Sequence, residues 1–270
     1  MRLIVAHKTV YRFDPPMRGV VQSLRLTPSA FEGQQVIEWS VHIDGAARGA
    51  AFRDGGGDWI ETATVPGPVN DVAISVNGTV ETVDLSGVLK GHREMVPPVA
   101  FLDDTRATRA DTAIRDLADA AVKDLAESAQ LERAHALCHA VRDAIAYTPG
   151  QTEASTTAAE ALALGHGVCQ DHAHAMIAAA HCVGMPARYV TGYLHAGGAA
   201  SEASHAWAEV HIEALGWVGF DASNGVCPDE NYIRIGSGRD AVQAAPIRGV
   251  AQGKGSEALD VELSVSQAQQ

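Results

Sequence analysis

Along the first part of the chain, apolar positions recur with a period of two. Leu3, Val5, Tyr11 and Phe13 share one parity, and Ile37, Trp39, Val41 and Ile43 alternate with Glu38, Ser40 and His42. Side chains of a strand point alternately to its two faces, so this pattern predicts half-buried strands. Residues 20–27 and 59–65 read as further strands, separated by Pro15-Pro16, Pro28 and the Gly55-Gly56-Gly57 run. Asn77-Gly78, between apolar stretches at 72–76 and 79–85, carries a hairpin signal. A two-residue loop there sets Val76 opposite Thr79 and Ile74 opposite Glu81, a mismatch that calls for a longer loop or a strand covered on both faces. Short strands at this spacing predict an antiparallel sandwich.

The period changes after Pro97-Pro98. From 111 to 131 the chain is rich in Ala, Asp and Leu, with Ile114, Leu117, Ala121 and Leu125 at helical spacing. A second helix is predicted over 132–145, where Leu137, Val141 and Ile145 fall four apart on one face. Ser155-Thr156-Thr157 followed by Glu160 predicts a capping box opening a short helix at 158–164. Strand patterns return at 189–194, 206–212 and 217–220, and a last one at 259–265 follows a glycine-rich loop. Strands, then helices, then strands predict an α+β fold rather than an alternating parallel sheet. The natural division is an N-terminal antiparallel β-sandwich at 1–90 and a mixed core at 98–270 that includes the C-terminal strand.

Composition narrows the function. The formal net charge is −13 with no cluster of Lys or Arg, which argues against nucleic-acid or anionic-membrane partners. His7 and Lys8 interrupt the apolar start, and no other apolar run is long enough to span a bilayer, so a cytoplasmic location is expected. Four cysteines without a CxxC pair read as free thiols in a reducing compartment.

One of those thiols stands apart. In Gly165-His166-Gly167-Val168-Cys169-Gln170-Asp171-His172-Ala173-His174, two glycines lead into Cys169, and an alanine-rich helix follows until Gly184 and Pro186. A cysteine at a helix N-terminus meets partial positive charge and free N–H groups, which favour the nucleophilic thiolate and can bind an oxyanion. A thiolate mechanism needs a base and a group to orient it. His205 begins one predicted strand, and Asp221 ends the next, before the polar turn Ala222-Ser223-Asn224-Gly225. Antiparallel pairing of those strands brings the imidazole beside the carboxylate. Taken singly, each of the three residues is as easily explained by packing or by a turn; their order and spacing make the combination notable.

Residues 147–225 resemble the transglutaminase-like superfamily, in particular bacterial members with a transglutaminase-type N-terminal region. The resemblance is carried by Gly167-Val168-Cys169-Gln170-Asp171, by Gly184-Met185-Pro186-Ala187-Arg188-Tyr189-Val190-Thr191-Gly192-Tyr193, by Ser204-His205-Ala206-Trp207 and by Gly216-Trp217-Val218-Gly219-Phe220-Asp221, in that order. Weaker similarity extends to Tyr11-Arg12-Phe13-Asp14, Leu24-Arg25-Leu26-Thr27-Pro28 and Ala245-Pro246-Ile247-Arg248-Gly249-Val250. The resemblance implies a papain-like core in 98–270 with a catalytic triad of Cys169, His205 and Asp221, no cofactor and no metal. It implies acyl transfer from an amide of a peptide or protein through a thioester, and a supporting or oxyanion role for Tyr147, Gln170 and Trp207. The chain departs from the family pattern at His172, His181 and Ala222, where an aromatic residue, an Arg and a Pro are usual, and at 239–243, where a Tyr and an Asp are missing.

Three alternatives stand beside thiol hydrolysis. A metal site from Cys169, His172, His174 and His205 is disfavoured, because residues two apart on a helix face different directions. His166, His172 and His174 read instead as partly exposed polar residues flanking a cleft. A silent peptide-binding module conflicts with an intact triad. Protein cross-linking requires an amine to outcompete water at about 55 M, hence a shaped, dry acceptor channel, and the sequence displays none.

Overall fold

The computed structural model describes residues 1–197 and 204–268. The first region is built on two long strands, β1 (Arg2–Leu24) and β4 (Trp59–Thr82), with β2 (Gln34–Ile43) and β3 (Ala47–Arg53) between them in sequence. β1 and β4 run antiparallel along nearly their whole lengths, and the pairing slips between Arg12 and Gly19. Pro15 and Pro16 fall in that gap, where a residue without an N–H does least harm to the ladder. On one side of the gap β4 pairs with β2, and on the other with β3. Val20, Leu24 and Val65 from one half share a single apolar cluster with Val41, Ile43, Val72 and Ile74 from the other. The expected sandwich is thus one sheet folded onto itself.

Two expectations are corrected here. β4 runs straight through Asn77-Gly78, which pair on one side with Ala6 and Val5 and on the other with Ser40 and Trp39. Gly78 is required by packing and not by a turn: a Cβ there would lie 2.3 Å from the Trp39 ring. The C-terminal strand does not belong to the core either. β11 and β12, which close the chain at Ile247–Ala251 and Ser256–Gln267, both pair with β1, the latter from Leu3↔Gln267 to Asp14↔Ser256. The two ends of the chain therefore share one sheet.

Between them lie α1 (Thr112–Val122), α2 (Gln130–Ala144), β5 (Ala146–Tyr147), α3 (Ala158–Leu164), β6 (His166–Gly167) and α4 (Cys169–Cys182). These are followed by β7 (Ala187–Leu194), β8 (Ser204–Ile212), β9 (Gly216–Phe220) and β10 (Tyr232–Gly238), an antiparallel sheet in the order β10-β7-β8-β9. α1 stops well short of 131, because its buried stripe Ile114, Ala118 and Val122 ends there and the polar Lys123 and Asp124 follow. α3 opens on the predicted capping box, with Thr157 and Glu160 each bonding the other's backbone N–H, and closes on Gly165 at φ +70°.

α4 is the central pillar of the core. Residues 171–180 are all buried, and the small side chains of Ala173, Ala175, Ala178, Ala179 and Ala180 let α1, α2, α3 and the sheet close in on every side. No helix among the described residues is long and apolar enough to cross a membrane.

Candidate active site

Cys169 is the first residue of α4 and is only partly buried. Its position is held from three directions. The Asp171 carboxylate accepts from Val168 N at 2.8 Å and from Thr152 Oγ1 at 2.6 Å, tying the helix start to the preceding loop. Both ring nitrogens of His172 meet backbone carbonyls, Val168 O and Ile145 O, at 2.9 Å each. β5 and β6 pair in parallel immediately before Val168. The N–H groups of Cys169 and Gln170 begin the first turn, where an α-helix supplies no internal acceptor.

The imidazole arrives from the sheet. β8 and β9 are antiparallel neighbours, with Ala208 opposite Phe220, so the start of β8 lies beside the end of β9. His205 Nε2 is 2.6 Å from Asp221 Oδ2, and Cys169 lies close enough to the imidazole to act on its charge. With Nε2 committed to the carboxylate, Nδ1 is the nitrogen left for the thiol. Burial alone would lower the pKa of His205, but its interactions with Asp221 and Cys169 outweigh that and bring it to about 9. Burial likewise opposes charge on Asp221, yet the His205 bond and the neighbouring donors hold its carboxyl well below the usual carboxylate range.

Those donors are numerous. Oδ1 accepts from Ser223 N at 3.0 Å, Ser223 Oγ at 2.6 Å and Asn224 N at 3.2 Å. Oδ2 accepts from Asn224 Nδ2 at 2.7 Å and Tyr232 Oη at 2.8 Å in addition to His205. An Asp followed by Ala-Ser-Asn-Gly is a recognisable side-chain-to-backbone turn, so Ser223 and Asn224 were within reach of sequence reasoning. Tyr232 was not. It reaches the site because β10 pairs with β7 on the far side of the sheet from β9, a topology that no local pattern encodes.

The residues given supporting roles by the resemblance are placed differently from one another. Trp207 lies under the imidazole, with ring centroids 6.4 Å apart and planes inclined by 27°. Gln170 turns away to donate to Ala154 O at 3.2 Å, anchoring a loop. Tyr147 sits half-exposed on β5, its ring 6.3 Å from that of His172. The histidines expected to flank a cleft divide. His166 is exposed, whereas His172 and His174 are buried because α4 is covered on all sides. His174 Nε2 accepts from Ala241 N at 3.1 Å, and burial pushes its pKa down to about 4. Among the described residues no group of three or more His, Cys, Asp or Glu is arranged to hold a metal ion.

Comparison with known proteins agrees with this architecture. The sequence profile of the transglutaminase-like superfamily matches residues 116–222, a span that contains Cys169, His205 and Asp221. That of the bacterial transglutaminase-like N-terminal region matches residues 3–81. An uncharacterized protein of Mycobacterium leprae is 29% identical over 98% of this chain and 98% of its own length. Another, from Mycobacterium tuberculosis, is 28% identical over 98% of this chain and 91% of its own. The crystal structure of a candidate cysteine protease from Cytophaga hutchinsonii superposes with a TM-score of 0.75 at 22% identity, covering 100% of this chain and 91% of that one. At that identity the likeness shows the fold.

Proposed function

We propose, for a chain that belongs to the transglutaminase-like superfamily and carries the bacterial transglutaminase-like N-terminal region, that it cleaves amide bonds of a peptide or protein by thiol catalysis. The observation that carries this reading is the position of His205, whose Nε2 bonds a buried, donor-saturated carboxylate while its ring lies within electrostatic reach of the thiol at the start of α4.

In this reading the Cys169 proton already rests on His205, and Sγ attacks the amide carbonyl as a thiolate; the new C–S bond gives a tetrahedral oxyanion. The first-turn N–H groups of α4, beginning with those of Cys169 and Gln170, receive that charge in this reading. Collapse breaks the C–N bond, and the His205 proton leaves with the amine. A water then attacks the thioester with His205 as base; the C–S bond breaks, the carboxylic acid departs and the thiol is restored. Asp221 keeps the imidazole in one tautomer throughout and stabilises it when charged.

Hydrolysis is favoured over cross-linking because water needs no binding site, whereas an amine must be held and water kept out. Incubation with a peptide library and hydroxylamine, with products read by mass spectrometry, tests both points. Cleaved peptides with free carboxylates are expected. Products made up of hydroxamates alone would argue for transamidation, and no product at all from a folded protein would argue against an enzyme.

A further inference from the structure

Tyr232 does nothing in the scheme above, yet it touches His205, Trp207 and Asp221. Its ring lies 5.9 Å from the His205 ring at 63° and 5.5 Å from the Trp207 ring at 85°, and Trp207 stacks on His205 from below. Its hydroxyl donates to Asp221 Oδ2 at 2.8 Å, the same oxygen that His205 Nε2 approaches at 2.6 Å. Burial, then the charge and hydrogen bond of Asp221, raise the phenol far above its ordinary pKa, so it remains a donor across the working pH range.

We propose that Tyr232 is a positioning residue: by sharing Asp221 Oδ2 with the imidazole, its hydroxyl sets how tightly His205 keeps its proton, while its ring fixes the imidazole plane. The inference rests on the thiol-catalysis reading given above. A carboxylate offers about four lone-pair sites, and six donor contacts already crowd the two oxygens of Asp221. Each neutral donor on Oδ2 withdraws charge that would otherwise hold the imidazolium. This matters because the mechanism asks His205 for two opposite things. It must hold the Cys169 proton while the thiolate attacks, and it must then surrender that proton to the leaving amine. An unshared carboxylate would favour the first step and hinder the second. The titratable groups that meet the ring are Cys169 from α4, Asp221 after β9 and Tyr232 from β10.

The experiment compares full-length wild type, Tyr232→Phe and a protein with a ring-fluorinated tyrosine at position 232. The His205 ring is titrated by NMR and identified by its loss in His205→Asn. Tyr232→Phe keeps the aromatic packing and deletes the shared hydrogen bond, so His205 is expected to titrate about half a pH unit or more higher. The fluorinated ring is a stronger donor and leaves the fold intact, and it is expected to move the titration the other way. A purely structural tyrosine would change thermal stability and leave the His205 titration where it was. Unmoved titration in both proteins would overturn the proposal, and the fluorinated protein keeps that test available if Tyr232→Phe does not fold.

Alkylation of Cys169 in the wild type separates the two levels of inference. A wild-type Cys169 that outpaces the other thiols, with His205 indifferent to position 232, rejects the role of Tyr232 alone. A wild-type Cys169 no faster than the others rejects the thiol-catalysis reading and this inference with it.

Discussion

One face of β8 carries two buried charge systems, and they differ in kind. His205, Trp207 and Glu209 alternate along the strand on the same side, with Ala206, Ala208 and Val210 facing the helices. At the His205 end, the carboxylate of Asp221 meets an imidazole and neutral donors. At the Glu209 end, the carboxylate meets two guanidinium groups. Arg188 Nε is 2.7 Å from Oε2, and Arg234 Nε is 2.8 Å from Oε1. Burial raises the pKa of Glu209, but the two arginines overcome it and bring it to about 2.

Arg234 also reaches Ser29 Oγ at 2.6 Å and Asp58 at 3.2 Å, and Arg188 reaches Glu94, so this second system ties the core sheet to the folded N-terminal sheet and the segment that follows it. Arginine does not lose its proton in this setting, so the Glu209 system has a single charge state and holds structure. The Asp221 system contains an imidazole, which unlike a guanidinium can give up its proton and take it back. The same strand thus carries both a fixed ion cluster and one whose charge can change, and the partner of each carboxylate decides which is which.

The sharpest way to break the comparison is to remove the nucleophile. Cys169→Ala is expected to lower amide turnover by about a thousandfold or more with no change in the thermal midpoint, measured on whichever peptide the library screen identifies. A mirrored result, lost stability with retained turnover, would assign the two systems the wrong way round. Arg234→Met tests the other end. It leaves Glu209 with Arg188 as its one cation and Asp58 with Arg25 alone, and should cost about 3–5 kcal/mol in urea unfolding. Below its melting temperature the variant should still present a fast-reacting Cys169.

A smaller effect is expected from pH. His205 rises from an ordinary value of 6.5 to about 9 on folding, so its contribution to stability is complete below about 6.5 and is lost as the pH climbs through about 9. Unfolding free energies should therefore fall over that interval in wild type. The fall should be absent in His205→Asn, while Glu209, bonded to permanent cations, contributes nothing in that range.

The comparison also explains how much could be read from the sequence. Cys169, His205 and Asp221 were legible because each sits at an element end marked by glycines, a strand period or a polar turn. The α+β order was legible from the change of period after Pro97-Pro98. What was not legible depends on strands distant in the chain. Arg188, Glu209 and Arg234 look like ordinary surface charges until β7, β8 and β10 are side by side, and only their neighbours reveal them as buried. Tyr232 was hidden for the same reason. Asn77-Gly78 misled because the glycine that a turn would use serves equally to admit the Trp39 ring. The C-terminal strand misled because its partner, β1, is at the opposite end of the chain.

The central claim is that Cys169 is the activated thiol, and competitive alkylation tests it most directly. The other three cysteines serve as internal references. Burial pushes Cys138 up to about 12 and raises Cys182 and Cys227 above their ordinary value. With iodoacetamide at pH 6–7, followed by peptide mass spectrometry, Cys169 is expected to be modified at least about tenfold faster than any of them, and His205→Asn should remove most of that advantage. Equal rates for all four cysteines in the folded protein would contradict the account.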